Sequence, residues 1–238
     1  MSLFAIADLH LSLGSDKPMS VFKGWESHIE RLEQNWNAAV SPGDTVVLAG
    51  DTSWGTTLET ALPDLNFIND KLHGKKIILK GNHDYWWTSL SKMNEFLAAN
   101  NLDKIDFLYN NAFLVDRIAV CGTRGWLNER LSENDEPHAE KLQKREAGRL
   151  EASVKRGSEL IENGGELCAF LHYPPIYGGF EDYFLIDILQ KYEIKRCFYG
   201  HLHGASHKNA LSGTRYGIEF TLISADFVEF TPIRVENK

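Results

Sequence analysis

Cysteine is scarce in the 238-residue sequence, with three in all, and there is neither a repeat at a fixed period nor a low-complexity tract. Cys121, Cys168 and Cys197 are widely spaced, each inside an apolar run, and show no CxxC or zinc-ribbon spacing. They read as buried structural thiols in a reducing compartment, which speaks against a disulfide frame or a thiolate zinc site. Without repeats or biased tracts, a solenoid or a disordered chain is an unattractive reading. Long hydrophobic runs are missing too. Met1–Ala7 is apolar but lacks a basic region and meets Asp8 at once, which is too short for a signal peptide or a membrane span. A cytoplasmic protein without a membrane partner is expected.

Basic charge is also in short supply: 33 acidic residues face 25 basic ones, a net charge of −8. A dedicated nucleic-acid binder usually carries a basic surplus or stripe. The densest Lys/Arg stretch, Lys141–Arg149, is interrupted by Glu146. The balance points mildly away from nucleic acid, although bound divalent cations would make an acidic protein locally positive. Nothing in the sequence indicates a protein partner.

What is present is a hydrophobic content of 43%, enough for one substantial core, so residues 1–238 are expected to form a single domain. Short apolar runs at Leu3–Ala7, Thr45–Ala49, Lys76–Lys80, Leu167–Leu171 and Arg196–Tyr199 read as strands covered on both faces. Helical periodicity lies between them. Trp25, Ile29, Leu32, Trp36 and Val40 mark one helix, stopped by Ser41-Pro42-Gly43. A second occupies Leu58–Leu72, with Thr56 and Glu59 as a capping box or Pro63 as its first turn. A third covers Trp87–Ala99, and a long polar one runs from Pro137 to Asn163 on the outside. The chain closes on expected strands at Ile218–Ile223 and Val228–Ile233. Alternating strands and helices followed by strands predict a layered α/β fold with two sheets.

Polar residues follow the strands in a regular way. Asp8 and His10 follow the first, Asp51 the second, Asn82 and His83 the third, His172 the fourth, and His201 and His203 the fifth. Side chains at the carboxyl ends of neighbouring strands converge on one crevice. In Asp8-Leu9-His10 and His201-Leu202-His203, two ligands one residue apart can face one ion. Asp51, after a glycine, can bridge two cations, and Asn82 offers a neutral amide oxygen. Imidazole, carboxylate and carbonyl donors together suit Mn, Fe, Zn or Co better than Ca.

Asp8-Leu9-His10, Gly50-Asp51, Gly81-Asn82-His83-Asp84, His172 and Gly200-His201-Leu202-His203, in this order, resemble the calcineurin-like metallophosphoesterases. The resemblance implies an α/β fold built as a four-layer αββα sandwich with two mixed β-sheets, the metal site lying at the carboxyl ends of the strands. It implies that Asp8, His10, Asp51 and His203 hold one divalent metal ion, and Asp51, Asn82, His172 and His201 a second, with manganese expected. It further implies metal-assisted hydrolysis of a phosphomonoester or phosphodiester, in which a metal-bridging hydroxide attacks phosphorus. His83 would be the catalytic acid at the leaving group, oriented by Asp84 or a metal-site carboxylate.

The protein Ser/Thr phosphatase branch has a second Asp and an Arg after its GD motif, whereas Asp51 is followed here by Thr52-Ser53-Trp54. The later motif ends in Asp84 where that branch has Glu, so phosphoproteins are disfavoured as substrates. The opening also resembles the UDP-diacylglucosamine hydrolases of the lipid A pathway, which carry Arg where this chain has His83. A small phosphorylated molecule or nucleotide is the expected substrate, with Arg124, Tyr85 and Tyr173 as candidate contacts. A surface salt bridge for Arg124 and a core role for Tyr85-Trp86-Trp87 are the plainer readings. A nuclease, a cyclic-nucleotide phosphodiesterase and a metal-bound protein-interaction scaffold are the alternatives. The intact Asn82-His83-Asp84 favours catalysis over the scaffold, which has no need of His83. His28, His73, His138 and His207 belong to no motif, and of these only His207 is near enough in sequence to His203 to enter the pocket.

Overall fold

A computed structural model describes residues 1–126, 136–161 and 164–236. Two sheets dominate. The first runs in the order β13 (Ile233–Val235), β1 (Leu3–Ile6), β2 (Thr45–Ala49), β3 (Lys75–Leu79) and β4 (Ile105–Phe107). The second runs β11 (Gly213–Arg215), β12 (Ile218–Leu222), β10 (Arg196–Tyr199), β7 (Glu166–Leu171), β6 (Ile118–Thr123) and β5 (Phe113–Val115). Pairing is parallel within each sheet and antiparallel at edge strands β13, β11 and β5. Parallel neighbours place their carboxyl ends on one edge, where the chain leaves each strand for a loop.

Period-two alternation explains how both faces of each sheet are buried. In β1 and β2, Phe4, Ile6, Val46 and Leu48 face a core shared with helices α1 (His28–Ala39), α2 (Leu58–Asp70) and α3 (Leu90–Ala99). Their neighbours Leu3, Ala5, Val47 and Ala49 meet Val120, Cys168, Phe170 and Phe198 of the second sheet in a core between the sheets. On the far side, Ala119, Cys121, Ala169, Leu171 and Tyr199 pack on helices α4 (Glu136–Leu160) and α5 (Tyr183–Lys191). The result is the expected four-layer αββα sandwich. All three cysteines are buried and unpaired, and burial pushes the Cys121 and Cys168 thiols up to about 12. Among the described residues no helix is long and apolar enough to cross a membrane.

Boundaries shift where local chemistry overrides periodicity. Trp25 is buried but precedes α1, because Ser27 adopts a left-handed conformation that starts the helix at His28. The capping box at α2 is Thr57 with Thr60, not Thr56 with Glu59, and Pro63 sits inside the helix. Ser89 accepts from Lys92 N and opens α3 three residues later than Trp87. The strand expected at Val228–Ile233 is a correction. Glu229 and Phe230 take left-handed φ values of 53° and 57°, which an extended strand cannot contain, so pairing begins only at Ile233. Helix α5, strands β4, β5, β6 and β11, and a small antiparallel pair of β8 (Ile176–Tyr177) and β9 (Phe180–Glu181) were not anticipated, and the expected end of α4 at Asn163 lies outside the described residues.

Candidate metal centre

The loops leaving β1 and β2 keep hydrogen-bonding after the strands end: Asp8 N donates to Gly50 O at 2.9 Å and His10 N to Asp51 O at 3.0 Å. Ala7 bridges across to Ser224, tying the end of β1 in the first sheet to the end of β12 in the second. At this seam four non-glycine residues turn left-handed: Asp8 (φ 61°), His10 (46°), Asp51 (51°) and His201 (71°). Each such residue costs of order 1–3 kcal/mol, which the surrounding hydrogen bonds must offset. The turns swing successive side chains out of the strand alternation and onto one crevice.

Two groups of ligand atoms form there, Asp8 with His10 and His203, and Asp51 with His172 and His201, each group within 4.8 Å. His10 Nε2 and His203 Nε2 are 3.3 Å apart, and His203 Nε2 lies 3.6 Å from Asp8 Oδ1. Asn82 Oδ1 faces His172 Nε2 at 2.6 Å and His201 Nδ1 at 3.0 Å. The crevice therefore gathers all seven side chains expected as ligands. Asp8 Oδ1 is buried without a hydrogen-bond partner. Leaving an acceptor in that condition costs about 1–3 kcal/mol unless something else satisfies it. A divalent cation fits that need, since every converging group offers a lone pair.

Electrostatics divide the groups. Burial works to raise the Asp8 carboxyl, but His203, followed by His172 and His10, holds it below the usual range. Burial alone would lower His203; Asp8 and Asp226 instead push it up to about 10. His172, fully buried, is driven down to about 3 by desolvation despite Asp8. For Asp51, burial and then the charges of Asp84 and Asp8 raise the carboxyl well above its ordinary value.

Two glycines let the ligands approach. A Cβ on Gly81 would fall inside contact distance of Asp51, and one on Gly200 would strike Ala7 and the Asp8 carboxylate. Asp84 faces the backbone of the loops around it. Its carboxylate is fully buried and accepts from the N–H groups of Asp51, Thr52, Ser53 and Gly81 and from Trp86 Nε1, at 2.8–3.3 Å. Asp84 thus positions the loops that carry Asp51 and His83, while His83 Nδ1 is buried without a hydrogen-bond partner. Burial, followed by His201 and Lys17, lowers the His83 imidazole below its usual value.

The remaining candidates separate. Tyr173 has its ring 4.4 Å from His201, and exposed Tyr85 lies 6.1 Å from His83, both centroid to centroid. Trp86 and Trp87 turn inward, packing with Phe107 as core anchors. Arg124 has its guanidinium 5.4 Å from the Trp126 ring and its Nε buried without a hydrogen-bond partner. His28 packs against Trp25 behind His10, and His73 bonds Val40 O. His138 lies where no side chain is described.

Sequence reasoning passed over several neighbours. Asp226 Oδ1 meets His203 Nδ1 at 2.9 Å and Oδ2 lies 3.3 Å from His207 Nε2, so His207 stands one step outside the ligands. Trp54 stacks on His10 at 4.9 Å and lies 4.5 Å from His83. With Met19, Phe22 and Trp25 it lines a cleft of about 420 Å³ that opens onto His10, His83 and His203. A polar turn after β12 and a tryptophan after Gly50-Asp51 were the only signals available for Asp226 and Trp54.

The calcineurin-like phosphoesterase family model matches residues 1–205. The solved structure of the protein of unknown function AQ665 from Aquifex aeolicus is similar in fold, with a TM-score of 0.52 at 17% identity over 98% of this chain and 95% of that one. None of the curated proteins matches the chain.

Proposed function

The chain belongs to the calcineurin-like phosphoesterase family, and from that premise we propose that it hydrolyses small phosphomonoesters or phosphodiesters, nucleotides included, with two divalent cations. The position of Asp51 carries the reading. Its Oδ2 lies 3.8 Å from His10 Nε2 in one ligand group and 3.5 Å from His172 Nε2 in the other. One carboxylate faces both groups, as a bridging ligand must. Asp8, His10, Asp51 and His203 would hold one ion, and Asp51, Asn82, His172 and His201 the other. These donors suit Mn, with Fe, Zn or Co as substitutes. Ions held there supply Lewis acidity to the phosphoryl oxygens and make water a competent nucleophile near neutral pH.

The protein's own residues do the rest. His83 stands beside the aromatic cleft, where a leaving group would sit against Trp25 and Trp54. In its protonated form the ring would donate to the leaving oxygen as general acid. Tyr85 lies beside His83 and Tyr173 beside His201, each placed to touch substrate. Three buried, unpaired thiols accord with a cytoplasmic setting.

The test is turnover of chromogenic and natural phosphoesters after chelation and after Mn²⁺ return. Chelation should abolish activity and lower the melting temperature, and Mn²⁺ should restore both. His83→Ala should keep both metals yet slow esters of poor leaving groups by about 10²–10⁴, and slow a nitrophenyl ester less. Full activity in protein shown by elemental analysis to be metal-free would overturn the proposal.

A further inference from the structure

Beside the Asn82–His172–His201 end of the centre lies a basin of about 260 Å³, lined by Lys80, Arg124, Arg145, Arg149, Glu146 and Tyr109 among others. We propose that this basin binds a second phosphoryl group of the substrate, so that the molecule hydrolysed carries phosphate at both ends; the assignment rests on the phosphoesterase reading above.

Charge is the first argument. Among the described residues, four cationic side chains line the basin against one carboxylate, that of fully buried Glu146. Glu146 is already engaged by Thr123 Oγ1 at 2.7 Å, Arg149 Nη1 at 2.7 Å and Arg145 Nη2 at 3.4 Å. Like charges gathered in a cleft raise the local potential for an anion. Arginine forks match phosphate oxygens two at a time. Arg124 Nε, buried without a hydrogen-bond partner, is a donor held ready in this wall.

Placement is the second argument. Lys80 directly follows β3, two residues before Asn82, and Arg124 directly follows Thr123, the last residue of β6. Arg124 O accepts from Tyr173 N at 2.9 Å, which joins the basin to the loop carrying His172. Arg149 Nη2 lies 3.3 Å from Tyr109 Oη, so donors and an aromatic rim meet on the same edge. At about 260 Å³ the basin is smaller than the roughly 300–1,000 Å³ of a pocket that encloses a whole drug-sized ligand. It suits one charged group of a molecule whose other end lies at the ligands.

Calorimetry with inorganic phosphate on chelated protein reads the basin without turnover. Parent protein should show one saturable site, and Arg124→Gln and Lys80→Met should each weaken it roughly tenfold or more, as for a lost charge-assisted hydrogen bond. Two variants on different elements, both checked by circular dichroism, keep the result readable if one misfolds. With Mn²⁺ restored, propane-1,3-diyl bisphosphate should be preferred over propyl phosphate in kcat/KM by roughly tenfold or more, and the variants should lose most of that ratio. Phosphate binding without a bisphosphate preference would make the basin a site for free anion and overturn the proposal. So would an oligonucleotide cleaved best with a steep salt slope. Turnover that continues with neither binding nor preference would overturn the basin alone. Absence of turnover on every ester, with phosphate still bound, would overturn the hydrolase reading and the assignment to substrate with it.

Discussion

The two ligand groups share a crevice but not an environment. In the first, His203 is backed by the Asp226 carboxylate and His10 lies against Trp54, beside an aromatic cleft. In the second, the Ala49 carbonyl stands 3.1 Å behind His172, which is fully buried and neighbours a basic basin. Asp8 and then Asp226 push the first imidazole up to about 10, whereas burial drives the second down to about 3. A carboxylate behind an imidazole holds it charged until a cation displaces the proton, whereas a buried carbonyl leaves it neutral and ready. The aromatic side suits an uncharged part of a substrate, and the basic side an anionic part.

The largest effect should come from removing what the groups share. Asp51→Asn should empty both positions and lower activity by more than the about 10–100-fold of an outer partner's loss. Because Asp51 is buried beside Asp84 and Asp8, the chelated variant should melt at or above the chelated parent. Elemental analysis and paired melts check both halves, and a variant that retains two tight ions removes the bridge. Asp226→Asn should act on one group alone, weakening one of two bound equivalents by about 10–100-fold and leaving the other. Metal titration distinguishes this, and equal weakening of both sites would erase the contrast drawn above.

The smallest effect concerns the support of the second group. Asp182 N donates to Pro175 O at 2.8 Å, fastening the loop after His172, and its side chain caps α5 through Leu185 N. Burial raises its carboxyl to about 6 from the ordinary 3.8, so the folded protein takes up a proton that the unfolded chain lacks between those values. That contribution is complete below about pH 4 and lost as pH rises through about 6. It amounts to at most about 3 kcal/mol. Asp182→Asn should thus melt higher than the parent at pH 8 and no higher at pH 4. Melts with no pH dependence to the difference would exclude the buried proton.

The five strands that lead into the crevice, and the meeting there of the seven side chains expected as ligands, were legible because each rests on a local signal, an apolar run that ends in a polar side chain. Asp226 was not legible, since it is the parallel pairing of β12 with β10 that brings it to His203. The basin escaped for the same reason and corrects one premise. Basic charge looked short along the sequence, yet Arg145 and Arg149 of α4 join Lys80 and Arg124 in one basin. Periodicity placed α1 to within three residues but could not foresee left-handed Glu229 and Phe230, because a single backbone turn leaves no apolar pattern.

The left-handed corners at Asp8, His10, Asp51 and His201, with Gly81 and Gly200 beneath them, have a consequence for anyone borrowing this centre. Grafting the seven ligand side chains onto another parallel sheet would not recreate it. The corners aim the side chains and the glycines leave them room, so six backbone positions must travel with the chemistry. A designer would have to copy the bends before the residues.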